Sequence, residues 1–374
     1  MFENLSLNAL QHYWWFIIAL LGGLFAFIIF VQGGQVLLNK LGQTEEERDL
    51  LVNALGRKWE LGFTTLVLFG GALYAAFPLF YAVSFGGAYF AWMGILFSFI
   101  ILAVSYEYRK KPNNFLGQKV YEAFMFINGS VGIILIGVAL GTLYTGGHFI
   151  RDEMNFSHWT TATYGLEAVL NPFNVALGLT LFFLARVNAS LYFIKIVGEE
   201  QIVQRARRQL KTDAVLFLLF FVTVAVMLLM MSGVAEHDGK FSVVAYKFLN
   251  NFITMPLLLV SFLAGVLLVL FGLYSALFKE GTNGIWFSGI GTVITVTTLL
   301  LLIGFNDTAI YPSLSDLQSS LSIHNASGSH YTLTAMSYVS LMVPFVLGYI
   351  WLVWRSMDRE KITIEEIEAD SHHY

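Results

Sequence analysis

After Glu60 the chain runs twenty-one residues, to Tyr81, without a charge. At 1.5 Å per residue that is about 30 Å of helix, the thickness of one bilayer core. The run Gly56-Arg57-Lys58-Trp59-Glu60 places a basic pair, an indole and a carboxylate at one mouth of this helix. Its middle, Gly70-Gly71-Ala72 with Ala75 and Ala76, repeats small residues at i and i+4 and is expected to admit a neighbouring helix closely. Pro78 frees backbone groups that only protein neighbours or water can satisfy. Such a helix is built for the inside of an assembly.

The rest of the chain repeats the pattern. It is 57% apolar and 12% charged, with a mean hydropathy of +0.68, which overrides the reading of 374 residues as two or three soluble domains. Nine spans can be drawn in one polytopic domain, at about 13–38, 61–83, 88–107, 120–145, 171–196, 212–233, 250–278, 284–305 and 331–354. With the N-terminus outside, the inner loops and tail hold seventeen of the 21 Lys and Arg, and the outer segments only Arg151, Lys240 and Lys247. The positive-inside rule therefore predicts N-terminus out and C-terminus in the cytoplasm. The first residues carry no Lys or Arg and read as a retained helix entry, not a signal peptide. No cysteine is present, which excludes disulfides, thiolate iron–sulfur ligation and Cys-based zinc sites.

Taken in order, the first span has Trp14-Trp15 at its outer end and Gln32-Gly33-Gly34-Gln35 near its inner end. Thr44-Glu45-Glu46-Glu47 reads as a capping box opening a short surface helix toward Arg57. Glycines 132, 137 and 141 recur along span four, and Asn171-Pro172 opens span five. The outer loop from Gly146 to Leu170 is aromatic and amphipathic; the one from Asn306 to His330 is rich in Ser, His and Asn. The tail from Asp358 to Tyr374 is acidic and reads as solvated.

Several of these pieces resemble subunit II of the cytochrome bd-type quinol oxidases. They are Trp59-Glu60 followed by Gly70 to Pro78, Gly137-Val138-Ala139-Leu140-Gly141, Asn171-Pro172-Phe173, Val197-Gly198-Glu199, and Pro312 with Ser320-Leu321-Ser322-Ile323. They fall in family order over nearly the whole chain, and the first is the specific one. The resemblance implies an all-α integral membrane subunit of nine helices, arranged as two four-helix bundles plus one peripheral helix. It implies a partner, subunit I, holding haem b and haem d (or b), which oxidises membrane quinol and reduces oxygen to water with cytoplasmic protons. Subunit II would support that partner, help proton uptake and in some members hold a structural quinone; a small accessory single-helix subunit is a further partner the family allows. The location implied is the bacterial cytoplasmic (inner) membrane, among lipids and quinol, with no nucleic acid. Where family members often carry Asp-Gly-Phe-Asp, this chain has Gln32-Gly33-Gly34-Gln35. Gln cannot take up a proton at neutral pH, so a water-wire role survives there and a titrating one does not.

The residues themselves support no catalytic, haem-ligand or metal assignment. The eight histidines fall in loops, in the tail or, for His12, at the outer lip of span one. A helical haem site needs a His projecting into the core. Mid-span Met residues such as Met93 and Met125 read as packing. The candidate proton pathway comprises Glu60, Trp59, Gln32 and Gln35, with Glu60 the titrating member; its bland alternative is a helix-end carboxylate favoured by the macrodipole. Arg186, inside span five, and the Arg57-Lys58 pair are candidate partner or lipid contacts. The cluster Arg205 to Arg208 reads as orientation charge with anionic lipid contact. The rival classes are a secondary transporter, for which Asn171-Pro172 and Thr254-Met255-Pro256 would be paired helix breaks, and a passive scaffold of the oxidase.

Overall fold

The computed structural model describes residues 2–365, and among these nine helical segments are long and apolar enough to cross a membrane. They are Leu7–Gln35, Glu45–Ala76, Tyr89–Tyr108, Gln118–Thr145, Pro172–Ile196, Glu200–Met230, Pro256–Phe278, Gly284–Leu301 and His330–Met357. The first starts six residues before its expected position because Ser6 caps it, its hydroxyl accepting from the Ala9 N–H. The Thr44 capping box forms as expected, but its helix continues through a turn at Arg57-Lys58 into span two. The sixth helix begins at Glu200, so its basic first three turns extend the apolar span. The expected seventh span is broken at Met255, where φ −116° and ψ 72° leave the helical region ahead of Pro256. Phe77 ahead of Pro78 breaks span two in the same way, and the Ala76 carbonyl accepts from the Gly328 N–H of a distant loop.

Span five lies at the centre, packed on four, six and the inner segment of span one, while span one also packs on two and eight. Spans five, one and eight are the most buried, and nine, seven, two and six the least. Glycine sets the tightest crossings. A Cβ on Gly137 would lie 2.5 Å from the Gly178 Cα, and one on Gly291 would lie 2.5 Å from the Gly265 carbonyl oxygen. The Gly70-Gly71 stripe behaves otherwise: Gly70 meets only the Phe85 ring and Gly71 nothing within 4 Å. The close helix approach expected there is therefore absent within the described chain: Gly70 is buried beside Phe85, and Gly71 is exposed near Val67, Leu68 and Tyr74.

An entirely helical fold is also too simple. Strand β1 (Phe149–Arg151) pairs antiparallel with β2 (Ser157–Trp159), and β3 (Gly233–His237) with β4 (Lys240–Val244). Both hairpins join the 302–329 loop at the end opposite the Arg57-Lys58 turn, which is called the hairpin end below. In the described part of the tail Arg359, Glu360 and Lys361 are exposed as expected, but Ile362 is fully buried and bridges to Val197.

Candidate functional site

Span one is not one straight helix. At Ile29 ψ reaches 0°, and a short segment, Phe30–Gln35, continues from the bend. Three residues apart, Gln32 and Gln35 share a face of that segment. Both are buried, at 1% and 2% exposure. The Gln35 Nε2 donates to the Tyr106 hydroxyl at 3.2 Å, and the Trp59 ring stacks on the Tyr106 ring at 5.5 Å and 13°. The Gln32 amide is slotted between two backbones. A Cβ on Gly62 would come within 2.8 Å of its Nε2, and one on Gly129 within 2.2 Å of its main-chain oxygen. Gly129 belongs to a π-helical turn, Asn128–Gly132, opened by the fully buried Asn128, whose Nδ2 donates to Ser98 Oγ at 3.2 Å. Such turns often mark functional places in helices.

Several atoms of this layer are unsatisfied. Both polar atoms of Gln32, the Oε1 of Gln35, the Oδ1 of Asn128 and the Nε1 of Trp59 are buried and meet no hydrogen-bonding group among the described residues. Each such group costs about 1–3 kcal/mol if left unmet, and ordered water is the usual remedy. The layer thus gathers unpaired donors and acceptors inside an otherwise apolar bundle.

Of the four residues expected in a proton pathway, the structure brings Trp59 and Gln35 together on Tyr106, while Gln32 lies against Gly62 and Gly129. Glu60 stands apart, exposed on the first turn of span two beside Trp59. The sequence reading missed Tyr106, Asn128 and Ser98; Asn128 inside an apolar span was the available signal. One helical turn beyond Tyr106 is a second feature it missed. Fully buried Arg109 donates through Nη1 to Asp49 at 2.7 Å and through Nη2 to Glu122 at 2.6 Å, while Lys110 also pairs with Asp49. Glu122 lies within the expected fourth span, and a carboxylate there was a sign of a partner.

The residues expected as partner or lipid contacts find partners within the chain. The Arg186 guanidinium pairs at 2.8 Å with fully buried Asp213 of span six and lies over the Phe182 and Phe183 rings. Lys58, 1% exposed, pairs at 2.8 Å with Asp358. Arg57 donates to the Asn53 side chain and the Met357 carbonyl. Arg205 forks onto Glu47, and Arg207 donates to the carbonyls of Ala276 and Glu280. A buried cation takes the nearest carboxylate in three dimensions, and sequence separation hides which one that is.

The described histidines do not fit axial haem ligation. His12 bonds the Asn8 carbonyl at the start of span one, His158 and His237 sit on strands, His148 and His324 in loops, and His330 opens span nine. His372 and His373 lie outside the described residues. Among the described residues no group of three His, Asp or Glu side chains is placed to hold a metal ion.

Comparison with known proteins gives one answer. Residues 10–357 match the family model described as cytochrome bd terminal oxidase subunit II. The chain is similar to the cytochrome bd-I ubiquinol oxidase subunit 2 of Escherichia coli (strain K12), 28% identical, with 98% of each chain covered. It is also similar to the cytochrome bd ubiquinol oxidase subunit 2 of Bacillus subtilis (strain 168), 25% identical over 91% of this chain and 94% of that one. Its fold resembles a chain in the structure of bd oxidase from Geobacillus thermodenitrificans, with a TM-score of 0.53 at 12% identity, covering 94% and 97% of the two chains.

Proposed function

Because the chain belongs to the cytochrome bd terminal oxidase subunit II family, we propose that it supports a haem-bearing subunit I and helps carry protons to it from the cytoplasm. The chain is a subunit of a terminal oxidase, and the transporter reading has no support left. Reduction of one O2 to two waters takes four electrons, from two quinols, and four protons. The proposal concerns the path of those protons.

The observation that carries it is the layer of unmet polar atoms on Gln32, Gln35, Asn128 and Trp59. Amides hold a water file without titrating, which suits the glutamines. Glu60, the one carboxylate among the four pathway residues, supplies an exchangeable proton at the rim of the layer. Its exposure on a face shared with Val67, Leu68 and Tyr74 supports that face as the contact with subunit I. The haems, b and d (or b), belong in that partner on this reading, since the histidines described above sit at helix starts, on strands and in loops. On this reading the nine spans make two four-helix bundles plus one peripheral helix, and the seventeen inner cations favour the N-terminus outside a bacterial inner membrane. A structural quinone and a small accessory subunit are compatible with this arrangement and are not needed by it.

The test is Glu60→Gln in the assembled oxidase. The substitution keeps shape and removes the titrating group. Haem content should stay near normal while quinol-dependent oxygen consumption falls, and Glu60→Asp should retain much of the activity because a carboxylate remains. Full assembly of Glu60→Gln with wild-type turnover at every pH would refute proton passage at Glu60.

A further inference from the structure

The described residues that follow span nine, up to 365, stay in contact with the protein. The side chain of Asp358, at the end of that helix, is 4% exposed, and its Oδ1 accepts from Lys58 Nζ at 2.8 Å and from the Tyr192 hydroxyl at 3.4 Å. Ile362 then adds to span five as a short strand: its N–H donates to the Ile196 carbonyl at 2.8 Å, and its carbonyl accepts from the Gly198 N–H at 2.8 Å. Ile364 N–H reaches the Glu199 carboxylate at 3.5 Å. Trp354, one turn before Asp358, packs on Phe27 and Phe30 and lies 5.3 Å beneath the Lys58 ammonium.

Lys58 is the last residue before span two, and its carbonyl accepts from the Leu61 N–H at 3.1 Å. It has no side-chain cap to hold that turn. What holds it is the far end of the chain, 300 residues away. We propose that Asp358 is a positioning residue: through Lys58 it fixes the first turn of span two and so sets Trp59 against Tyr106 and Glu60 beside the polar layer. The inference rests on the proton reading for its functional consequence and on the contacts alone for its structural one.

The two parts separate experimentally. Hydrogen exchange of the amides from Trp59 to Leu61, followed by mass spectrometry on the assembled oxidase, reads the turn directly. In Asp358→Asn those amides should exchange at least tenfold faster, with spans one and five unchanged, while Asp358→Glu, which keeps the carboxylate, should restore slow exchange. Turnover of Asp358→Asn should fall severalfold in kcat with an unchanged quinol KM. Wild-type exchange at residues 59–61 in Asp358→Asn overturns the inference whatever the turnover. Faster exchange with wild-type turnover upholds the positioning and counts against proton passage at Glu60. If Asp358→Asn does not assemble, Lys58→Met with Asp358→Leu removes both charges and leaves no unpaired ion. Faster exchange at 59–61 in that variant supports the inference, and wild-type exchange overturns it.

Discussion

Removing Asp213 should destabilise the subunit more than removing both members of its ion pair. At the 2.8 Å separation from Arg186, two unit charges attract by about 6 kcal/mol at an effective dielectric constant of roughly 20. Taking each ion out of water costs several kcal/mol, so the pair as a whole contributes little net stability. Removing Asp213 alone leaves the Arg186 guanidinium buried among Phe182 and Phe183 without a counter-ion. That state costs about 3–5 kcal/mol, or roughly two to four orders of magnitude in the folded population. The Gln209 amide, which donates to Asp213 at 3.0 Å, cannot replace the carboxylate. Asp213→Ala should therefore lower the yield of assembled, haem-containing complex and the temperature at which it dissociates on size-exclusion chromatography. Arg186→Met with Asp213→Leu should return both toward wild type, because no uncompensated charge remains. Equal stability of wild type and Asp213→Ala would show that the guanidinium finds solvent or lipid, and the internal pairing would be wrong.

Tyr106→Phe deletes the hydroxyl that accepts from Gln35 but keeps the ring under Trp59; oxygen consumption should fall by a few-fold with haem content retained, and Gln35→Ala should do less harm than Glu60→Gln. Gly178→Leu should abolish assembly, judged by chromatography of the detergent-solubilised complex, because a Cβ there would already lie 2.7 Å from the Ile134 carbonyl oxygen. At the hairpin end, burial opposes ionisation of Glu167, but hydrogen bonds from Thr161, Thr163 and the Gly165 N–H outweigh it and hold the carboxyl below its usual range. Its stabilisation of the 161–167 turn is present above the unfolded pKa of about 4.3 and is lost as pH falls through the folded value; limited proteolysis of this loop should accelerate on acidification, and Glu167→Gln should remove that dependence. Single cysteines in the cysteine-free chain should report opposite sides of the membrane, Gln201→Cys reacting from the cytoplasm and Ser242→Cys from outside, and labelling of both from one side would end the nine-span topology.

Membrane spans are legible in a sequence because lipid imposes a one-dimensional rule: an uncharged apolar run of fixed length. The stretch after Glu60 obeys it, and its eight counterparts do so apart from single charges such as Glu122 and Arg186, so the number of spans and the Thr44 cap follow from local chemistry alone. The family motif around Trp59-Glu60 carries the functional class in the same way. Partnerships do not follow, because they depend on which residues meet after folding. Arg186 reads as a charge seeking an outside partner until Asp213 of the next helix is seen beside it. Lys58 finds Asp358 only because span nine ends against the start of span two. Gly70 and Gly71 carry the small-residue signature, yet the close crossings belong to Gly137 with Gly178 and Gly265 with Gly291, since a stripe of small residues permits contact without choosing a neighbour. Gln32 and Gln35 are polar in the sequence, but only packing against Tyr106, Gly62 and Gly129 buries them and leaves the Gln32 amide and the Gln35 Oε1 without a partner among the described residues. The sequence determined what crosses the membrane, and the tertiary structure decided which polar groups are alone once inside it.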